Sequence, residues 1–218
     1  MTSAGFPTPV VAWHRPDDPA TPLVVLLHGR GADERHILGL ADHLPDGTTY
    51  AAVRAPIAEG GGYAWFANRG IGRPLAESLT ATMGWFRDWL DQTTGPDRPV
   101  VLVGFSGGAA FAGGLVLDDP DRYAGAAVLY GTLPFDAGVP TTPGRLAGRP
   151  VLLAHGLDDH VIPHDLQART WSYLHDESDA DLRSLRGPGG HGITPAVLHA
   201  LGDWVRQVTT STAGTATP

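Results

Sequence analysis

Short apolar runs without a polar interruption recur along this chain, and each is followed by a segment of helical periodicity. Leu23–Leu27 reads Leu-Val-Val-Leu-Leu. A strand with one face in water alternates apolar and polar residues, so an unbroken run of this length asks for apolar cover on both faces. Residues 50–53, 99–104, 124–130 and 151–154 have the same character, 10–13 read as an edge strand, and 182–185 as a weak one. Between them lie helical faces. Ile37, Leu40, Ala41 and Leu44 follow Asp33, a helix-capping residue type. Leu79, Met83, Phe86 and Leu90 form another face, and residues 107–117 are a helix of small side chains. Residues 164–174 follow Pro163, and Leu198, Leu201, Val205 and Val208 follow the cap-like pair Thr194-Pro195. Strands alternating with helices predict an α/β fold: a mostly parallel central sheet with helices on both faces. Ligands in such folds bind beyond the carboxyl ends of the strands, so the residues that end each strand are where chemistry is sought. Residues 57–75 are glycine-rich and read as irregular.

With 218 residues the chain suits one domain, taken as 1–208, and the Thr/Ala/Gly/Pro composition of 209–218 reads as a disordered tail. Fifteen Lys and Arg against 23 Asp and Glu leave a net charge of −8, and no basic patch stands out, which argues against nucleic acid as a partner. Cysteine is absent, so disulfides, thiolate metal sites and a cysteine nucleophile are excluded. No apolar run reaches the ~20 residues of a membrane span, and the first residues lack the basic and apolar regions of a signal peptide. The expectation is a cytoplasmic protein acting on a small molecule, with a homodimer left open.

Gly104-Phe105-Ser106-Gly107-Gly108 closes one strand and opens a helix. This is G-x-S-x-G in the strand–turn–helix setting that gives the motif its meaning: a tight turn that lifts a serine hydroxyl over the sheet edge. A serine hydroxyl needs a base to take its proton. In this fold the partners follow in the order Ser, acid, His. His191 sits between Gly190 and Gly192, after the last weak strand, where a flexible loop can aim its ring at Ser106. His199 is a rival but lies within the last helix. The acid is Asp158 or Asp159, which follow the strand at 151–154; neighbouring side chains point apart, so only one reaches His191. The backbone N–H of Gly107 and that of Arg30, in the early strand-end loop His28-Gly29-Arg30-Gly31, are candidates for stabilising an oxyanion. His155, His160 and His164 beside the two aspartates allow a metal reading, but their spacing fits no common signature, and none is expected. Tyr63, Trp65, Phe66 and Ile71 cluster in the 57–75 segment. With Val161 and Ile193 they are expected to wall a short substrate pocket; the alternative is that Trp65 and Phe66 plug the loop onto the core.

These segments together resemble the phospholipase/carboxylesterase family of α/β-hydrolases. The matching pieces are residues 27–33, Gly104 to Gly108, His155-Gly-Leu-Asp-Asp-His-Val-Ile-Pro163, and Gly190-His191, in the family's order. The resemblance implies an α/β-hydrolase fold without a large cap domain and needs no cofactor. In the family's H-G-x-x-D-x-V-[VI]-P pattern the acid is the fifth residue, which selects Asp159. The family usually carries Gln after the nucleophile, where this chain has Gly107; the backbone donor survives and a side-chain contact is lost. The implied activity is cleavage of carboxylic esters of short to medium acyl chains by Ser106, His191 and Asp159. Thioesters, lysophospholipids, peptides or amides are alternative substrates of the same site, and an inactive binding scaffold is the alternative from another class.

Overall fold

The structure, a computed structural model, describes residues 5–213. The chain forms β1 (Val11–Trp13), β2 (Leu23–Leu27), helix α1 (Glu34–Leu38) and β3 (Thr49–Val53). Four short strands follow: β4 (Ile57–Glu59), β5 (Gly62–Ala64), β6 (Asn68–Gly70) and β7 (Arg73–Pro74). Then come α2 (Ala76–Thr93), β8 (Val100–Phe105), α3 (Gly107–Asp118), β9 (Gly125–Leu129), β10 (Pro150–Gly156), α4 (His164–Ser172), β11 (Asp181–Gly187) and α5 (Pro195–Ala213). Seven strands make the central sheet in the order β1-β3-β2-β8-β9-β10-β11. Among the described residues of this sheet, only β1 runs antiparallel to its neighbour, and the other pairings are parallel.

The unbroken apolar runs are explained by cover on both faces. Leu23, Val25 and Leu27 of β2 pack with Leu79, Met83, Phe86 and Leu90 of α2 and with Phe111 and Leu115 of α3. The alternate residues Val24 and Leu26 belong to the opposite layer, with Ile37 of α1 and Leu201, Trp204, Val205 and Val208 of α5. A strand's side chains alternate between faces, and here both faces are dry. The edge strand β11 lacks that cover and alternates between exposed and half-buried positions, which is why its sequence signal is weak.

The helix ends follow their capping residues. Asp33 accepts the amides of Arg35 and His36 at the start of α1. That helix is shorter than its periodicity suggests: after Leu38 it tightens into a 3₁₀ turn at Gly39–His43 before Pro45. Thr194 caps α5 by accepting the amide of Val197, with Pro195 as the first helical residue.

Two expectations are corrected. Residues 57–75 are not irregular: they form two hairpins, β4–β5 and β6–β7, too short to show a period in the sequence. The segment taken as a tail from 209 continues α5 as far as Ala213, because Val208 and Thr209 are still buried against the fold. Residues 214–218 lie outside the described residues.

Candidate active site

Three loops at the carboxyl ends of β8, β10 and β11 meet over the sheet. The turn after β8 holds Ser106 at φ 55° and ψ −115°, a conformation a side-chain-bearing residue adopts at a cost of ~1–3 kcal/mol. The surrounding glycines make it feasible. A Cβ on Gly104 would lie 2.2 Å from the carbonyl oxygen of Gly108, and one on Gly108 would lie 2.1 Å from that of Leu27. Strand and helix can therefore pass close enough to force the turn.

His191 follows β11 and Asp159 follows β10. The two loops are tied together, the amide of Asp158 donating to the Gly189 carbonyl at 3.0 Å. Asp159 is almost fully buried. Its Oδ1 accepts the amides of Val161 and Ile162 at 2.9 and 3.2 Å, and its Oδ2 lies 2.8 Å from His191 Nδ1. Nε2 of the same ring lies 2.8 Å from Ser106 Oγ. Burial pushes the Asp159 carboxyl up, but the His191 ring and the two amides outweigh it and hold it below the usual carboxylate range. An ionised carboxylate can only accept, so His191 Nδ1 carries a proton and Nε2 presents its lone pair to the serine hydroxyl. The arrangement can draw a proton from Ser106. Phe105 and Tyr130 pack around the imidazole, with ring centroids 5.2 and 6.4 Å away.

Asp158 is exposed, and its carboxylate receives only the Gly189 amide, at 3.4 Å. His199 lies on the exposed side of α5 beside Asp203. His155 is buried, and its Nε2 donates to the Gly131 carbonyl at 3.0 Å. Among the described residues no group of three or more His, Cys, Asp or Glu side chains is placed to hold a metal ion.

Arg30 and Gly107 face one another across the site: a Cβ on Gly107 would lie 3.3 Å from the Arg30 nitrogen. Neither backbone N–H donates to another described atom. Gly107 is also the first residue of α3, where the helix dipole and unpaired amides favour negative charge.

A cavity of about 560 Å³ opens beside Ser106, within the size range of small-molecule sites. Of the six side chains expected to wall it, Phe66, Ile71 and Val161 do so. Trp65 does not. It is buried, stacked on Phe111 at a centroid distance of 4.5 Å, and its indole N–H donates to the His28 carbonyl at 2.8 Å. Tyr63 pairs its backbone with Gly31 and Ala32, and its hydroxyl accepts from Arg54. Ile193 packs into the layer under α5. Sequence reasoning missed Asn68 and Arg69, which line the cavity from β6, and Gln167, whose side chain donates to the carbonyls of Asp159 and Ile162. Gln167 lies four residues beyond Pro163, on the first turn of α4, a position that faces back onto the preceding loop.

The sheet order, the serine at the turn after β8 and the absence of a large cap are those of an α/β-hydrolase. The chain belongs to the Phospholipase/Carboxylesterase family, whose profile matches residues 9–209. MhqD of Bacillus subtilis (strain 168) is 24% identical over 189 residues, covering 85% of this chain and 92% of that protein. A carboxylesterase from Mesorhizobium loti superposes with a TM-score of 0.74 at 25% identity, covering 85% of this chain and 88% of that one. The Bacillus cereus carboxylesterase has the same fold, with a TM-score of 0.79 at 22% identity, over 91% of this chain and 93% of that one. By its family the chain is a hydrolase of the carboxylesterase type. Among the described residues no helix is long and apolar enough to cross a membrane.

Proposed function

We propose that the chain hydrolyses carboxylic esters of short to medium acyl length through an acyl-enzyme on Ser106. The observation that carries this reading is the unbroken run of hydrogen bonds from Ser106 Oγ through His191 to Asp159, each 2.8 Å long. Ser106 Oγ attacks the ester carbonyl as His191 Nε2 takes its proton. The imidazolium that forms is stabilised by Asp159, which stays ionised. The carbonyl oxygen becomes an oxyanion held by the N–H groups of Arg30 and Gly107. The tetrahedral intermediate collapses, and His191 returns the proton to the leaving alcohol. Water then attacks the acyl-Ser106 carbonyl with His191 again as base, releasing the acid and the free serine. No step calls for a cofactor. On this reading residues 1–208 act as one domain, working in the cytoplasm on a small ester.

Ser106→Ala tests the reading. The substitution removes one oxygen from a turn whose backbone is set by glycines, so the fold survives, and kcat toward 4-nitrophenyl butyrate falls by about 10⁴–10⁶-fold. Retention of more than a small fraction of activity by a folded variant means that another group is the nucleophile.

A further inference from the structure

The cavity beside Ser106 is lined by apolar side chains and by two arginines, Arg30 and Arg69, with no aspartate or glutamate among its lining residues. In a chain of net charge −8 that is a local reversal of sign. Most cations on this face are already matched. Arg30 makes a bidentate pair with Glu59, Arg73 pairs with Asp165, and Arg169 holds Asp136 through both of its terminal nitrogens. Arg69 is different. Its exposed guanidinium makes no hydrogen bond or close ion pair with a described side chain, although its charge reaches Asp136 and helps hold that carboxyl below the usual range. Glu77 and Asp136 border a separate depression on its outer side, but neither pairs with it, and Asp136 is committed to Arg169. Beside Arg69, the Asn68 side chain lines the same cavity; its Oδ1 is a buried acceptor without a partner, and its Nδ2 is the atom of the carboxamide that can donate to an anion.

The backbone that carries these two side chains is fixed. Gly72 closes the hairpin at φ +70°, and a Cβ there would meet Leu166 and Thr132 at 2.8 Å. The hairpin is therefore packed onto the α4 side of the site, with the Arg73–Asp165 pair alongside. A guanidinium outside any close ion pair, on the hairpin wall of a cavity with a partly apolar lining, matches a ligand that has an apolar body and one anionic end.

We propose that the natural substrate is an ester bearing an ionised carboxylate remote from the scissile bond, bound by the Arg69 guanidinium with the Asn68 carboxamide beside it. This rests on the acyl-transfer reading above and narrows its substrate class. Arg69 acts here as a specificity determinant and takes no part in the proton transfers.

Two matched pairs of chromogenic esters test it. The first sets 4-nitrophenyl hydrogen adipate against 4-nitrophenyl heptanoate, with the charge on the acyl side. The second sets 3-carboxy-4-nitrophenyl butyrate against 4-nitrophenyl butyrate, with the charge on the alcohol side. In at least one pair, Arg69→Gln lowers kcat/KM for the charged ester by about fivefold, the scale of a solvent-accessible charge-assisted contact. The charged-to-neutral ratio of kcat/KM falls by that factor, Arg69→Lys retains part of the preference, and added salt erodes it. If Arg69→Gln leaves the charged-to-neutral ratio unchanged in both pairs, the proposal is overturned while the esterase reading stands. If the unmodified enzyme cleaves none of the four esters, the esterase reading itself fails and the proposal fails with it.

Discussion

Asp158 and Asp159 are chemically identical and adjacent, yet the fold gives them opposite environments. Asp159 is enclosed, receives two amides and meets the His191 ring; Asp158 faces solvent at the loop surface. Asp159→Asn keeps the shape but replaces an acceptor-only group, so the ring no longer settles in the tautomer that offers Nε2 to Ser106. A loss of kcat by about 10³–10⁴-fold is expected, whereas Asp158→Asn stays within a few-fold of the parent. Steady-state kinetics of the two variants check this, and a reversed order transfers the role to Asp158. From the residues alone the pair was undecided, because spacing says that one of two neighbours points inward and not which one. The family pattern selected Asp159. The meeting of Ser106 and His191 was legible without it, since Gly104 and Gly108 mark the tight turn around the serine and His191 stands in a glycine-flanked loop after the last strand. The fates of Tyr63, Trp65 and Ile193 were not: an aromatic in a glycine-rich segment can line a cavity or plug the core, and Trp65 plugs because its indole N–H finds the His28 carbonyl inside.

At the scale of elements, the strands and long helices were legible because their residues are buried on a regular period. The β4–β5 and β6–β7 hairpins were not, since strands of two or three residues cannot display one. Of the two hairpins, β6–β7 bears most on the cavity beside Ser106. It supplies part of the cavity wall, from Asn68 to the exposed Ile71, and Val161 and Ile162 also line that cavity. On the proposed esterase reading, with no large cap above it, this wall covers only a limited length of acyl chain. Each methylene buried against it contributes ~0.8 kcal/mol, about fourfold in kcat/KM, and a methylene beyond it contributes little. Activity on 4-nitrophenyl esters from acetate to palmitate is expected to rise over the first few carbons and then level or fall. Peak activity on palmitate contradicts an open, short pocket.

For the molecule as a whole, a pH dependence of stability follows from two buried histidines, His28 after β2 and His155 in β10, on opposite sides of β8 in the sheet order. His28 accepts the Ala55 amide on Nε2 at 3.0 Å, so that nitrogen must be unprotonated. His155 donates Nε2–H to Gly131, and its Nδ1 is buried with no partner. Burial lowers the pKa of both below the ordinary histidine value. The unfolded chain binds protons below about 6.5 that the folded chain refuses. The contribution of these groups is therefore complete above that pH and is lost as pH falls from ~6.5 toward the lowered folded values. Thermal unfolding followed from pH 7 to about 5 is expected to show a falling Tm, with a shallower fall in His155→Gln; a flat profile contradicts the assignment. The central claim concerns Ser106, and intact-protein mass spectrometry after exposure to a fluorophosphonate tests it most directly. The account predicts a single adduct, mapped by peptide sequencing to Ser106, absent from Ser106→Ala and formed much more slowly in His191→Ala. An unlabelled parent protein, or an adduct on any other residue, would contradict it.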